Sequence, residues 1–271
     1  YLSSTPKYNL LYEAFGWEIP TYIHLPLIMG KDADGNVSKL SKRHGATGFY
    51  DLIDEGYLPE AIINYIALLG WCPKDNQEIF TLKELEKAFD ISGISKSPAV
   101  FDYDKLSWFN GEYIKAMTPE KFTEVAMPYY KKVFGDKQMP YEKFAAILQK
   151  RTTQLTQIPE MLDFFAELPS YTKELFVNKK SKTNLENSPV VLKEAYDRLK
   201  ALPEWNETSI HDCLINMAVE KELKNGTVMW PVRIAAAGKT VTPGGAVEIL
   251  DILGRDESLA RLEKGMAILA E

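Results

Sequence analysis

The sequence predicts a mainly α protein, with a small mixed α/β region in front and an all-helical remainder behind. Three observations lead there. Strand formers and a hairpin dipeptide gather in the stretch 22–40. From Thr118 onward strand signals fade and proline-led helix starts recur. The composition, 45% hydrophobic and 11% aromatic over 271 residues, is that of a globular chain long enough for about two domains.

Tyr22–Gly30 (Tyr-Ile-His-Leu-Pro-Leu-Ile-Met-Gly) is apolar and rich in strand formers, Asp34-Gly35 is a hairpin-turn dipeptide, and Val37–Leu40 is the returning strand. Pro59 suits the first position of a helix, where its missing N–H costs nothing. Apolar residues at 62, 63, 65, 66, 68 and 69 are too many for a surface helix, so this one is expected to be buried, with Gly70 as its stop. Thr81-Leu82-Lys83-Glu84 is a capping box opening another helix. Further starts at Thr118-Pro119, Met139-Pro140, Ile158-Pro159, Ser188-Pro189 and Asp256 predict helices near 119–134, 141–155, 160–167, 189–201, 209–224, 228–237, 245–253 and 256–269. Lys224-Asn225-Gly226 and Leu253-Gly254 read as stops. Asn178–Asn187, the most polar interval, reads as a joint, so the expected divisions are 1–117, 118–183 and 184–271.

The net charge of −6 excludes a wholly basic nucleic-acid coat, although phosphate affinity is set by local Lys/Arg clusters. No uncharged apolar run approaches the ~18–20 residues of a membrane span. Cys72 and Cys213 are far apart and the histidines (His24, His44, His211) are scattered, so neither a disulfide framework nor a metal site is indicated, and a cytoplasmic home is expected. Tyr1 is not Met and no signal peptide follows, so the chain is expected to be cut from a longer one.

Several chemistries fail on spacing. Asp32-Ala33-Asp34-Gly35-Asn36 resembles a calcium loop, but Val37 and Arg43 stand where an EF-hand needs Gly and Glu, so a turn is expected. Gly238-Lys239-Thr240 has the end of a P-loop, but Arg233 stands where its first Gly belongs. Asp102 and Asp104 lack a partner base, and Asp102 suits a turn as well as acid–base work.

Two basic clusters remain, Lys39-Leu40-Ser41-Lys42-Arg43-His44 and Lys179-Lys180-Ser181-Lys182. The ordinary reading of either alone is a solvated surface. Two lysines three apart, with a hydroxyl between them, on a loop after a hairpin, also suit a polyphosphate, whose migrating charge ammonium groups can follow.

Lys39-Leu40-Ser41-Lys42-Arg43 resembles the Lys-Met-Ser-Lys-Ser signature of class I aminoacyl-tRNA synthetases, in the form used by bacterial-type glutamyl-tRNA synthetases. Other stretches agree: His24-Leu25-Pro26-Leu27, His44-Gly45-Ala46, Gly56 to Ala61, Asn64-Tyr65, Leu69-Gly70-Trp71, the hinge-like Phe101 to Asn110, Arg233 to Gly238, Thr242-Pro243-Gly244 and Leu253-Gly254. The resemblance runs from about residue 1 to residue 269. The family's His-x-Gly-His signature is missing, which implies a C-terminal fragment without the nucleotide-binding Rossmann portion, expected not to catalyse alone.

The resemblance implies a ligase that condenses glutamate with ATP, Mg2+ accompanying the nucleotide, to a glutamyl-adenylate, and passes the acyl group to the 3′-terminal adenosine of tRNA(Glu). Lys42 then stabilises the departing pyrophosphate, Lys39 assists, and Leu40, Ser41 and Arg43 shape the ATP-binding loop. A lone histidine in an apolar strand ordinarily packs, but the resemblance puts His24 near the bound adenosine. A stem-contact region up to about residue 117 precedes a helical anticodon-binding domain. There Arg151, in Gln149-Lys150-Arg151-Thr152-Thr153-Gln154-Leu155, matches an anticodon-reading arginine; Thr242, Pro243 and Gly244 match a second anticodon contact; and Arg233 is a backbone or phosphate contact. A monomer is expected. Two alternatives stay open: a relative charging tRNA(Gln), which the helical tail disfavours, and a helical interaction scaffold with an incidental basic loop.

Overall fold

The computed structural model describes residues 1–271 apart from Ala33, Lys42, Arg43, Ala46 and Thr47. The chain divides into two compact units, Tyr1–Tyr113 and Ile114–Glu271. The mainly helical expectation holds, with a single small sheet among the described residues.

The first unit contains α1 (Thr5–Ala14), β1 (Ile28–Lys31), β2 (Val37–Lys39), α2 (Phe49–Asp54), α3 (Pro59–Gly70), α4 (Leu82–Ala88) and β3 (Ala99–Phe101); α5 (Tyr103–Ala116) begins in it. The sheet order is β2-β1-β3. β1 pairs antiparallel with β2, Met29 opposite Lys39, and parallel with β3, Gly30 opposite Phe101. Leu52, Tyr57, Ile62, Tyr65, Phe101, Leu106 and Phe109 form the core, and Ile28 and Leu40 pack against it. The N-terminus of α3 is tied down by buried Asn110, whose Oδ1 accepts the Leu58 N–H at 2.8 Å. The hairpin turn is a built Asx turn: Asp32 Oδ1 accepts the N–H groups of Asn36 and Asp34 at 2.8 and 3.1 Å. Those bonds, the Asn36 N–H foremost, hold the Asp32 carboxyl below the usual range.

Two expectations in this unit need correction, and a third segment is resolved. The strand over Tyr22–Gly30 forms only from Ile28, because only Ile28–Lys31 finds partners on both sides; Ile23, Leu25 and Leu27 stay exposed. Helix α3 is not buried all round, since Ala61, Ile62 and Tyr65 face the core while Ile63 and Ile66 are exposed. The hinge-like segment is strand then helix. Asp102 Oδ1 takes the N–H groups of Asp104 and Lys105, so this carboxylate caps α5 and is not placed for acid–base work. The capping box holds as read: Glu84 donates its N–H to Thr81 Oγ1, and Glu84 Oε2 accepts the Thr81 N–H at 2.7 Å.

The second unit packs α6 (Pro119–Phe134), α7 (Tyr141–Leu148) and α8 (Ile158–Ala166) together. Around α11 (Asn225–Ala237) it gathers α9 (Asn187–Lys200), α10 (Glu207–Glu220), α12 (Ala246–Leu253) and α13 (Arg255–Ala270). Aromatic rings fill the first group: Phe122, Tyr130, Phe144 and Phe164 are fully enclosed. Arg261 on α13 is 4% exposed; its Nη1 donates to the carbonyls of Phe164 at 2.7 Å and Ala236 at 2.9 Å, while Nε meets Glu257 at 2.6 Å. One side chain thus braces α13, α11 and α8.

Two boundaries differ from expectation. Helix α7 stops at Leu148, not at 155, because the Leu148 carbonyl is shared by the N–H groups of Arg151 and Thr152 and by the Thr152 hydroxyl. The stop read at Lys224-Asn225-Gly226 lies earlier: Glu222 takes the left-handed conformation (φ +53°), and the Leu223 N–H reaches the Ala218 carbonyl at 2.8 Å. Asn225-Gly226 instead opens α11. No helix among the described residues is long and apolar enough to cross a membrane.

Candidate functional site

In the first unit, β2 ends at exposed Lys39, and the chain is immediately anchored. The Leu40 N–H donates to the Ile28 carbonyl at 3.0 Å and its side chain enters the core. Ser41 is held by His44: the Ser41 N–H donates to Nδ1 at 3.0 Å, and the His44 N–H returns to the Ser41 carbonyl at 2.9 Å. His44 Nε2 lies 3.2 Å from Ser38 Oγ. The imidazole therefore links Ser38 to Ser41, across the base of the basic loop. Lys42 and Arg43, on which the phosphate-binding reading leans most, lie outside the described residues.

Sequence reading grouped His44 with the motif but gave it no task. The signal was Gly30, directly across the sheet: a Cβ there would stand 2.6 Å from His44 Cγ. The close approach needs glycine. Gly30→Ala is expected to push the ring off Ser41 and speed Ser41 amide exchange about tenfold, equivalent to weakening one hydrogen bond by roughly 1.4 kcal/mol; hydrogen-exchange NMR checks it.

His24 is not packed into a strand. It is exposed, on irregular chain, with Nε2 3.3 Å from Thr5 Oγ1 and its ring alongside Tyr22. Among the described residues it bonds to no member of the basic loop.

In the second unit, residues far apart in sequence meet on one cavity of about 720 Å³, lined by Arg151, Gln157, Lys239, Thr240, Thr242 and Pro243 among others. Arg151 stands exposed on the turn that follows α7. Thr242 and Pro243 lie between α11 and α12, in a connection that leaves α11 through Gly238 (φ +63°). A Cβ at Gly238 would come within 2.9 Å of the Tyr171 ring, so glycine is required twice over. Lys239 anchors the connection on α8, its Nζ meeting Asp163 at 2.5 and 2.7 Å. Gly244 lines neither this cavity nor its neighbour; buried beside Ile147, it offers its carbonyl to the Thr242 hydroxyl at 2.7 Å and so shapes the loop from beneath.

Arg233 of α11 joins this cavity to a second of about 370 Å³. Its Nη2 donates to the Thr240 carbonyl at 3.0 Å, and its guanidinium lies 4.7 Å over the Trp230 ring. Burial first, then the positive charge of Arg151, hold the Arg233 guanidinium below its ordinary range. Among the described residues neither arginine has a carboxylate partner. Two guanidinium groups close enough to repel, neither paired with a carboxylate among the described residues although Glu160 lines the same cavity as Arg151, suit an anion with more than one negative charge.

Comparison with known proteins separates nearly the same two stretches of chain as the two compact units. Residues 121–266 match the family model described as "Anticodon binding domain", and residues 1–108 match "tRNA synthetases class I (E and Q), catalytic domain". The glutamate–tRNA ligases of Clostridium kluyveri and Clostridium tetani are 53% and 51% identical over 266 residues, covering 98% of this chain and 54% of theirs. The chain thus spans about half the length of the curated relatives it matches. A crystal structure of a glutamate tRNA ligase from Elizabethkingia meningosepticum, in complex with its amino acid, superposes with a TM-score of 0.81 at 30% identity, covering 99% of this chain and 55% of that one. The glutamate-tRNA synthetase of Elizabethkingia anophelis gives 0.80 at 28%, covering 98% and 55%. On the sequence signature, the fold and these matches together, the chain belongs to the glutamate–tRNA ligase family of class I tRNA synthetases.

Proposed function

We propose that the helical unit receives the anticodon loop of tRNA(Glu), and that the basic loop serves the ATP phosphates when the whole protein ligates glutamate to that tRNA. The observation carrying the first half is the meeting of Arg151, Thr242 and Pro243 on one open cavity, with Arg233, which meets no carboxylate among the described residues, held beside it by the Thr240 carbonyl. An anticodon loop presents splayed bases for edge hydrogen bonds and phosphates for the guanidinium groups. Arg151 is exposed and reads a base edge; Arg233, partly buried and fixed to Thr240, takes the backbone.

In the catalytic step the glutamate carboxylate attacks the α-phosphorus of ATP and pyrophosphate leaves; the terminal adenosine hydroxyl of the tRNA then takes the acyl group and AMP departs. Lys42 and Lys39 neutralise charge on the leaving pyrophosphate, which builds up as the bond to the α-phosphorus breaks. Mg2+ enters with the ATP phosphates. The division at 117 and 183 assigns the stem contact to the first part and anticodon binding to the two helical parts. The protein acts as a monomer in the cytoplasm.

Arg151→Ala is expected to weaken binding of an anticodon stem-loop of tRNA(Glu) by about 1–3 kcal/mol, with smaller losses for stem-loops of altered anticodon. Fluorescence titration reads it. A loss equal across all anticodons would assign Arg151 to the phosphates, and no binding by the unaltered chain would leave only a helical scaffold.

A further inference from the structure

The second basic cluster, Lys179-Lys180-Ser181-Lys182, has no place in the reading so far. It is not a loose polar joint. Asn178 and Thr183 form an antiparallel bridge, with both N–H groups donating across it at 3.0 Å. Inside, Asn178 Oδ1 accepts the Ser181 N–H at 2.9 Å, and Lys182 is held left-handed at φ +55°. Outside, the Thr227 hydroxyl of α11 donates to the Ser181 carbonyl at 2.7 Å, and Asn187 Nδ2 donates to the Lys182 carbonyl at 2.9 Å. The turn is thus fixed to α11 and α9, and it carries three exposed lysines in a chain of net charge −6. Among the described residues none of the three ammonium groups has an acidic partner.

Its position gives the cluster a direction. Ser181 and Arg233 line the same cavity of about 370 Å³. Glu248, also on that cavity, has Oε2 committed to the Gly245 N–H at 3.0 Å. Arg233 in turn reaches Thr240, on the cavity that holds Arg151. Arg151, Arg233 and the lysine turn follow one another, with Glu160 on the first cavity and Glu248 on the second, and a run of cations of this length suits a polyanionic strand and not a single small anion.

We propose that the Lys179–Lys182 turn is a phosphate clamp for the RNA backbone leaving the anticodon cavity, holding the strand by charge without reading its sequence. This rests on the anticodon-loop reading and extends it: bases at Arg151, backbone along Arg233 and the lysine turn. Such contacts position a nucleic acid and carry the salt dependence of binding, whereas base contacts specify.

The test uses the whole chain, an anticodon stem-loop of tRNA(Glu) and a second with altered anticodon, titrated between 50 and 200 mM salt. The triple variant Lys179→Gln, Lys180→Gln, Lys182→Asn keeps the turn, because Asn tolerates the left-handed position. Its affinity is expected to fall about 10- to 100-fold at the lowest salt for both RNAs alike, and the slope of log K against log salt to flatten by about 2–3. Arginine at all three positions should restore both. If the unaltered chain binds while the variant keeps its affinity and slope, the clamp is wrong and the anticodon reading stands. Should the unaltered chain bind neither RNA, the clamp falls with the reading beneath it. Equal loss of polyglutamate binding in the variant, at matched charge, would make the turn a general anion patch and overturn the assignment to RNA.

Discussion

Lys42→Ala, assayed in a chain of its relatives' full length, is expected to slow glutamate-dependent pyrophosphate exchange about 10²- to 10³-fold, the loss typical for one preorganised donor aimed at developing charge. Charge on the departing pyrophosphate is greater as the bond to the α-phosphorus breaks than in bound ATP, so loss of an ammonium there is expected to raise the barrier more than it weakens ATP binding. Leu40 packs against the core, and the Ser41 N–H donates to His44 Nδ1 at 3.0 Å. Lys39 stands at the end of β2 opposite Met29, and Lys39→Ala is expected to cost less. Affinity for tRNA should barely change in either variant. Pyrophosphate exchange at the unaltered rate in Lys42→Ala would refute the role given to this lysine.

The largest effect on stability is expected at Arg261. Arg261→Ala should lower the unfolding free energy of the helical unit by about 3–5 kcal/mol. The reason is less the lost charge than the carbonyls of Phe164 and Ala236, which would be left without a donor in a region closed to water. For a unit of this size each kcal/mol moves Tm by about 2–4 °C, so a drop on the order of 10 °C should be seen by circular dichroism. Arg261→Lys keeps the charge but not the fork that spans two carbonyls, and should recover only part of the loss. A change below about 1 kcal/mol would mean the brace is redundant. Function should follow stability here, because Arg261 ties together α8, which anchors Lys239, and α11, which carries Arg233.

Much of the helical fold could be read from local rules. Thr118 accepts the Lys121 N–H as the Thr-Pro start implied, and the Thr81–Glu84 box closes as its letters suggest. The misreadings came where a local signal was absent or a partner was missing. Glu222 ends α10 in a conformation usually left to glycine, so nothing in the letters marked the stop. Tyr22–Leu27 had strand chemistry but no neighbouring strand. The site was less legible still. Arg151 and Thr242 share a cavity only because α7 and α12 pack together, a relation no spacing rule carries, and the family resemblance alone had grouped them. His44 was hidden for a similar reason, since its meaning depends on a glycine in the facing strand.

The seating of Arg233 over Trp230 has a practical consequence. The indole is fixed, its N–H bonded to the Leu175 carbonyl at 2.9 Å, while a cation rests on its face. Any anion that draws the guanidinium aside alters the field around the ring without disturbing the ring itself. Trp230 fluorescence is therefore expected to change when an anion binds at Arg233, a readout that needs no attached dye.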